Sequence, residues 1–356
     1  MFQGEFFSFF CYFLLFLFHL LDNYINFDSL MMIQIQTSLI IYIGCIYSAK
    51  KVFYNKNNKE IKPMKRKDAL LYAIKGSLIL FIISLSLIIF NHNFINFLFS
   101  FYFIFFDTYS ISSFIKGKIN NFLTFKKYNQ NQILSIKKIP FIINEHKTIS
   151  QLEIFTLILG FIISVFFYIS NNWILNNFIG IILCLNSIEN IFLGEFKIGL
   201  ILLSSLFIYD IFFVYFTNIM NNITLNLDIP LILKFPNSIS KSNFNTIGLG
   251  DIIIPGFFIS LMLRFDIILF KKKNNEELKL NYLNLKYFLN SLIGYITGIF
   301  ITISIMIIFK HSQPALLFIV PILFFNVFIT SLLFSEYKIL WNFNEISFIK
   351  EDNKIN

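Results

Sequence analysis

Two aspartates interrupt apolar runs of this chain. Asp210 follows Tyr209 inside LLSSLFIYDIFFVYF, and Asp251 closes Gly248-Leu249-Gly250-Asp251 ahead of IIIPGFFISLML. A carboxylate at membrane depth costs roughly 2.5–3.5 kcal/mol on insertion scales, so an ionisable group kept there marks a functional site by default. Two carboxyl groups held within a few ångströms in a low-dielectric site share a proton. The ionised one can take a proton from water as that water attacks an amide carbonyl. The protonated one can donate to the developing oxyanion and then to the leaving nitrogen. Such a pair titrates as a unit, so either aspartate can be the acid.

The elements that must position this pair are membrane helices. Of 356 residues, 56% are hydrophobic, 50 are Phe and only 14% are charged, and the mean hydropathy is +0.71. A soluble domain of this length would carry far more charge. Runs long enough to cross a hydrocarbon core of ~30 Å fall near 31–48, 69–90, 94–114, 154–170, 173–193, 199–220, 246–263, 287–309 and 314–334. The expected fold is therefore an all-α integral membrane bundle of nine transmembrane helices. Phe6 to Leu21 forms a shorter run without preceding basic residues; residues 1–30 read as a signal sequence or signal anchor and a short luminal stretch. Cys11, Cys45 and Cys184 lie far apart in apolar stretches, which gives no disulfide framework and no metal-type spacing.

Lys and Arg orient the bundle. Basic residues crowd the first, third and seventh loops, while only Lys234, Lys241 and Lys310 fall on the opposite side. The positive-inside rule then makes the start luminal and the tail, 337–356, cytosolic. The net charge of +9 is thus spent on topology, and no nucleic-acid partner is implied. Asp210 lies 13 residues after Lys197, and Asp251 lies 13 residues before Arg264 on the next helix, which runs the other way. At ~1.5 Å per residue, both carboxylates sit about 20 Å from the basic boundary. Antiparallel neighbours with matched depth can face one another. Asp107 and Glu189 have no partner acid at matched depth and are expected to be structural.

Pairing and depth alone suit an ion path as well as a hydrolase. The surrounding residues favour hydrolysis. Gly248 and Gly250 strip side chains from the approach to Asp251, as a substrate backbone would require. Gln313-Pro314-Ala315-Leu316 opens the last helix, and Pro314 and Pro321 leave carbonyls without their usual donors. The luminal stretch 221–245 carries Pro230 and Pro236, which oppose a continuous helix, and Asn222-Ile223-Thr224 is a glycosylation sequon. No His-Glu-x-x-His helix and no Gly-x-Ser occur, so zinc and rhomboid-type serine chemistries are unsupported.

Tyr209-Asp210, Gly248-Leu249-Gly250-Asp251 and Pro314-Ala315-Leu316 together resemble the three signatures of the intramembrane aspartyl proteases of the presenilin and signal peptide peptidase group. The likeness runs from about Met31 to Glu336, and the luminal start matches the signal peptide peptidase branch. The resemblance implies a catalytic membrane domain over 31–336, with catalytic helices about 199–220, 246–263 and 314–334. It implies Asp210 and Asp251 as the catalytic dyad. Tyr209, Gly248, Leu249, Gly250, Gln313, Pro314, Ala315 and Leu316 would shape the site or position substrate. Further implied are a membrane of the endoplasmic reticulum, no cofactor or metal, and homo-oligomers. Substrates would be transmembrane segments such as remnant signal peptides and type II or tail-anchored proteins, with endoplasmic-reticulum degradation machinery as a partner. Two rival functions use the same residues differently: a non-proteolytic factor that binds or retrotranslocates membrane proteins, and a proton-coupled transporter.

Overall fold

Inside a bilayer the backbone can bond only to protein, so helices dominate wherever the chain crosses lipid. The computed structural model describes residues 28–54, 63–89, 92–123, 132–136, 147–212, 230–236, 244–274, 285–309 and 314–345. The apolar run Phe6 to Leu21, Cys11, Asn222, Gln313 and the tail beyond 345 lie outside the described residues.

Among those described there are nine long helices. They are α1 (Ser29–Tyr54), α2 (Arg66–Ile89), α3 (His92–Leu123), α4 (Gln151–Ser170), α5 (Trp173–Asn190), α6 (Phe196–Ile211), α7 (Gly250–Asn274), α8 (Lys286–Phe309) and α9 (Leu316–Leu333). A short α10 (Tyr337–Trp341) follows. Six of the nine are long and apolar enough, by length and composition, to cross a membrane. The fold is a multi-pass helical membrane bundle. Its lipid-facing surface is apolar: Ile169 is 78% exposed and Leu333 75%, positions that acyl chains tolerate and water would not.

Helix α7 is the axis of the bundle. Its side chains from Ile254 to Ile268 are all buried, and α1, α5, α6, α8 and α9 all pack against it. Helices α3 and α4 pair beside α5, and α2 pairs with α6. Cys45 and Cys184 are buried free thiols.

Two antiparallel hairpins interrupt the helical pattern. The first joins β1 (Gln132–Ile136) to β2 (Lys147–Ser150), in the basic loop before α4. The second joins β3 (Ile232–Pro236) to β4 (Phe244–Gly248) immediately before α7. This corrects the helix expected over 246–263. Residues 244–248 are strand, because they pair with β3, and the Leu249 N–H continues that ladder to the Leu231 carbonyl at 3.0 Å. The helix starts only at Gly250 and runs on to Asn274.

Arg264 is a second correction. It was expected at the cytosolic boundary, but it is fully buried within α7. Its Nε pairs with Glu345 Oε1 at 2.8 Å, and its Nη1 donates to Ser48 Oγ at 2.7 Å and Ser260 Oγ at 3.0 Å. An ion-pair partner and two hydroxyl acceptors offset the cost of burying the guanidinium, whose Nη2 has no hydrogen-bond partner among the described residues. Burial pushes the Glu345 carboxyl up from its ordinary value, and the guanidinium opposes that shift. The pair ties residues 344–345 to the middle of the bundle, with the Glu345 N–H also donating to the Gly194 carbonyl at 2.8 Å.

The last helix is set against α8 at one close point. A Cβ on Gly298 would stand 2.8 Å from the Ile319 Cα, so only glycine permits this approach of two backbones. Gly298→Ala should therefore destabilise the protein by about 1–3 kcal/mol through overpacking. Gly117→Ala, with nothing within 4 Å of the new methyl, should be neutral or up to ~1 kcal/mol stabilising; thermal unfolding in detergent compares them. In the same assay Glu345→Ala should cost about 3–5 kcal/mol by stranding Arg264, and the double change Arg264→Met/Glu345→Leu should cost less than either single loss.

Candidate active site

Helix α6 delivers Asp210 in its last α-helical turn, with the residue 8% exposed. Helix α9 packs against α6. Pro314 has no N–H, its carbonyl accepts from Leu317 N–H at 3.2 Å, and Ala315 is the N-cap residue. Leu316, which follows, carries a first-turn N–H that has no acceptor within its own helix. That N–H bears on the Asp210 carboxyl electrostatically. The Asp210 Oδ2 atom is buried and has no hydrogen-bond partner among the described residues.

Asp251 sits in the first turn of α7, where the dipole favours an acid. The β3–β4 hairpin feeds directly into this turn. A Cβ on Gly248 would lie 3.4 Å from Asp251 Oδ2, and one on Gly250 would meet only Ile254 Cδ1 at 3.8 Å. Neither glycine has a positive φ. Their role is to leave space beside the carboxyl, most tightly at Gly248. Leu249 points the other way: it is buried, with its Cδ2 3.4 Å from a Cβ placed on Gly180 of α5.

The charge on Asp210 bears on Asp251, so the acid of α6 and the acid that begins α7 share one electrostatic environment. Arg264 is not the boundary from which the depth of Asp251 was measured, because it is buried. Tyr209 is partly buried against the core and feels the Asp210 charge. Among the described residues no group of three or more His, Cys, Asp or Glu could hold a metal ion. Asp107 is fully buried near α4, where the Tyr168 hydroxyl donates to it at 3.4 Å.

Three buried polar positions escaped the reading of the sequence. Tyr295 of α8 is fully buried, faces Thr37 of α1, and feels the Asp251 charge. Gln36 beside Thr37 is also fully buried, with both ends of its amide unpartnered among the described residues. The signal was present, since any polar side chain in the middle of an apolar span qualifies. The third position, the pair Asn176-Asn177 on α5, is taken up below.

Comparison with known proteins gives a consistent answer. Residues 55–347 match the family model described as signal peptide peptidase. The chain is 36% identical over 293 residues to the signal peptide peptidase of Mus musculus, covering 80% of this chain and 74% of that protein. The Homo sapiens signal peptide peptidase is 35% identical over the same shares. Intramembrane protease 2 of Caenorhabditis elegans is 37% identical over 198 residues, which is 52% of this chain and 42% of that protein.

Two acids whose charges act on each other weaken the fold they occupy. Asp210→Asn and Asp251→Asn should each leave the thermal midpoint in detergent unchanged or raise it, by up to ~1 kcal/mol. A midpoint lowered by either change would mean that the carboxylates hold the bundle together.

Proposed function

Because this chain belongs to the signal peptide peptidase family of intramembrane proteases, we propose that it is an aspartic endopeptidase cutting peptide bonds within transmembrane segments. Asp210 and Asp251 are its general acid–base pair. The observation that carries this reading is the electrostatic contact between those two acids at the meeting of α6 and α7. In the dyad, one carboxylate takes a proton from the attacking water while the other, protonated, donates to the carbonyl oxygen and later to the leaving amine. The Leu316 N–H would hold Asp210 in orientation through the cycle. This is how Pro314-Ala315-Leu316 serves the reaction: it starts a helix whose first free donor points at an acid.

A transmembrane helix hides its carbonyls in i→i+4 bonds, so a substrate must unwind locally before it can be cut. An unwound segment needs new backbone partners, which an open strand edge supplies. Backbone near Pro314 is one place for such pairing; β4, which ends at Gly248 beside Asp251, is the better platform. Substrates are then remnant signal peptides and type II or tail-anchored membrane proteins. The setting is the endoplasmic reticulum membrane, with a luminal start, a cytosolic end, homo-oligomers and degradation machinery as partners. Tyr209, Gly250 and Gln313 remain assigned to shaping the site, and no metal or cofactor is required.

Purified protein in detergent should cut a labelled signal-peptide substrate at an internal apolar bond. Asp210→Ala and Asp251→Ala should each lower kcat about a thousandfold or more, and the double variant little further, because the pair acts as a unit. Cleavage persisting in either single variant would reject the mechanism. Proton-coupled solute flux in liposomes without any cleavage would favour transport instead.

A further inference from the structure

The β3–β4 hairpin has two outer edges, and the structure treats them differently. On the β3 side, the side chain of Asn177 bonds the Lys234 backbone at both groups. Its Oδ1 accepts the Lys234 N–H at 2.8 Å and its Nδ2 donates to the Lys234 carbonyl at 2.7 Å. One turn-neighbour away, Asn176 Nδ2 donates to the Ile232 carbonyl at 2.7 Å. A primary amide presents one donor and one acceptor side by side, as a peptide unit does. The two asparagines therefore stand in for a third strand. Both are buried, at 1% and 0% exposure, and α5 can come this close because Gly180, one turn on, faces Leu233 without a side chain.

The same bonds fix which groups point outward on β4. In an antiparallel ladder, residues directly opposite either both face their partner or both face away. Lys234 gives both of its outward groups, and Ile232 its carbonyl, to the asparagines. Their partners in register, Thr246 and Gly248, must then turn their own N–H and C=O to the far edge of β4. The Leu249 N–H bonded to Leu231 agrees with this phase. Among the described residues, no hydrogen bond reaches those outward groups of Thr246 or Gly248. Gly248 is also the residue whose absent side chain opens the space beside Asp251 Oδ2.

We propose that Asn176 and Asn177 are positioning residues that close the β3 edge, so that an extended substrate joins the hairpin along β4 only, in one register that sets the scissile bond over Asp251. The inference rests on the proteolytic reading above and adds to it the residues that decide where the cut falls. The occupant is an unwound apolar peptide strand, since Thr246 and Gly248 offer backbone groups and little else. An unplugged β3 edge would either admit a competing strand or let the hairpin slide, and a slip of one residue changes which bond meets the dyad.

The test uses the full-length protein, a labelled signal-peptide substrate, and product masses to locate each cut. Asn177→Leu removes both bonds to Lys234 at similar volume, and Asn177→Asp keeps only the acceptor. Asn176→Leu removes the single bond to Ile232. Wild type should give one dominant cut. Asn177→Leu should raise KM about tenfold, the worth of one or two backbone hydrogen bonds, and spread cleavage over neighbouring bonds. Asn177→Asp should fall between, and Asn176→Leu should show a smaller spread. A hydroxyl-containing peptide inhibitor that still binds each variant reports that the dyad is assembled. If the variants bind inhibitor yet cut the same bond with unchanged KM, the asparagines are structural only and the proposal fails. The same holds if kcat alone falls while the cut stays fixed. If Asn177→Leu does not fold, Asn177→Asp and Asn176→Leu decide the matter by the same readouts. Wild-type protein that cuts nothing would overturn proteolysis itself and this assignment with it.

Discussion

An acid buried in lipid must be given its hydrogen bonds by the protein, and helix N-termini are the cheapest source because their first N–H groups have no acceptor of their own. Everything around the two aspartates follows from that constraint. Asp251 occupies an N-terminus, that of α7, and the N-terminal turn of α9 bears on Asp210 of α6. Two helix N-termini therefore serve one pair of carboxyls. Moving either would weaken the support of an acid, so the contacts that fix these helices matter. The Gly298 crossing sets α9 against α8, and the Arg264–Glu345 pair braces α7 from the side away from the site.

The hairpin solves the opposite problem. Strand edges within a membrane protein carry unpaired backbone groups, each of which is expensive unless it is satisfied or faces a watery cavity. Here one edge is satisfied by asparagine amides and the other ends beside an acid pair. The β4 edge thus presents extended backbone beside the acid pair. The chemistry and the recognition element meet at Gly248, which belongs to both.

Much of this could be read from the sequence because it rests on local rules. Apolar run length located the nine long helices to within a few residues for most, and the carboxylates in apolar context located the site. What escaped was set by tertiary partners. The strand over Phe244–Gly248 looks like the start of an apolar helix, and only β3, itself hidden in a stretch punctuated by Pro230 and Pro236, makes it a strand. Arg264 reads as a boundary residue because its partners, Ser48 and Glu345, are distant in sequence. Asn176 and Asn177 were lost in a chain rich in asparagine, where their composition carries no signal and only their contact with Lys234 and Ile232 does. Leu316 was named from its motif, but its backbone N–H, rather than its side chain, is the group that bears on Asp210.

The account depends on the two carboxyls sharing one small wet site at the junction of α6, α7 and α9. An experimental structure of the protein with a peptide-like inhibitor bearing a hydroxyl in place of the scissile carbonyl tests this most directly. The hydroxyl is predicted to lie within about 2.5–3.2 Å of a carboxyl oxygen of both Asp210 and Asp251, with the inhibitor backbone extended along β4. A hydroxyl bound to one aspartate alone, or an inhibitor seated elsewhere in the bundle, would contradict it.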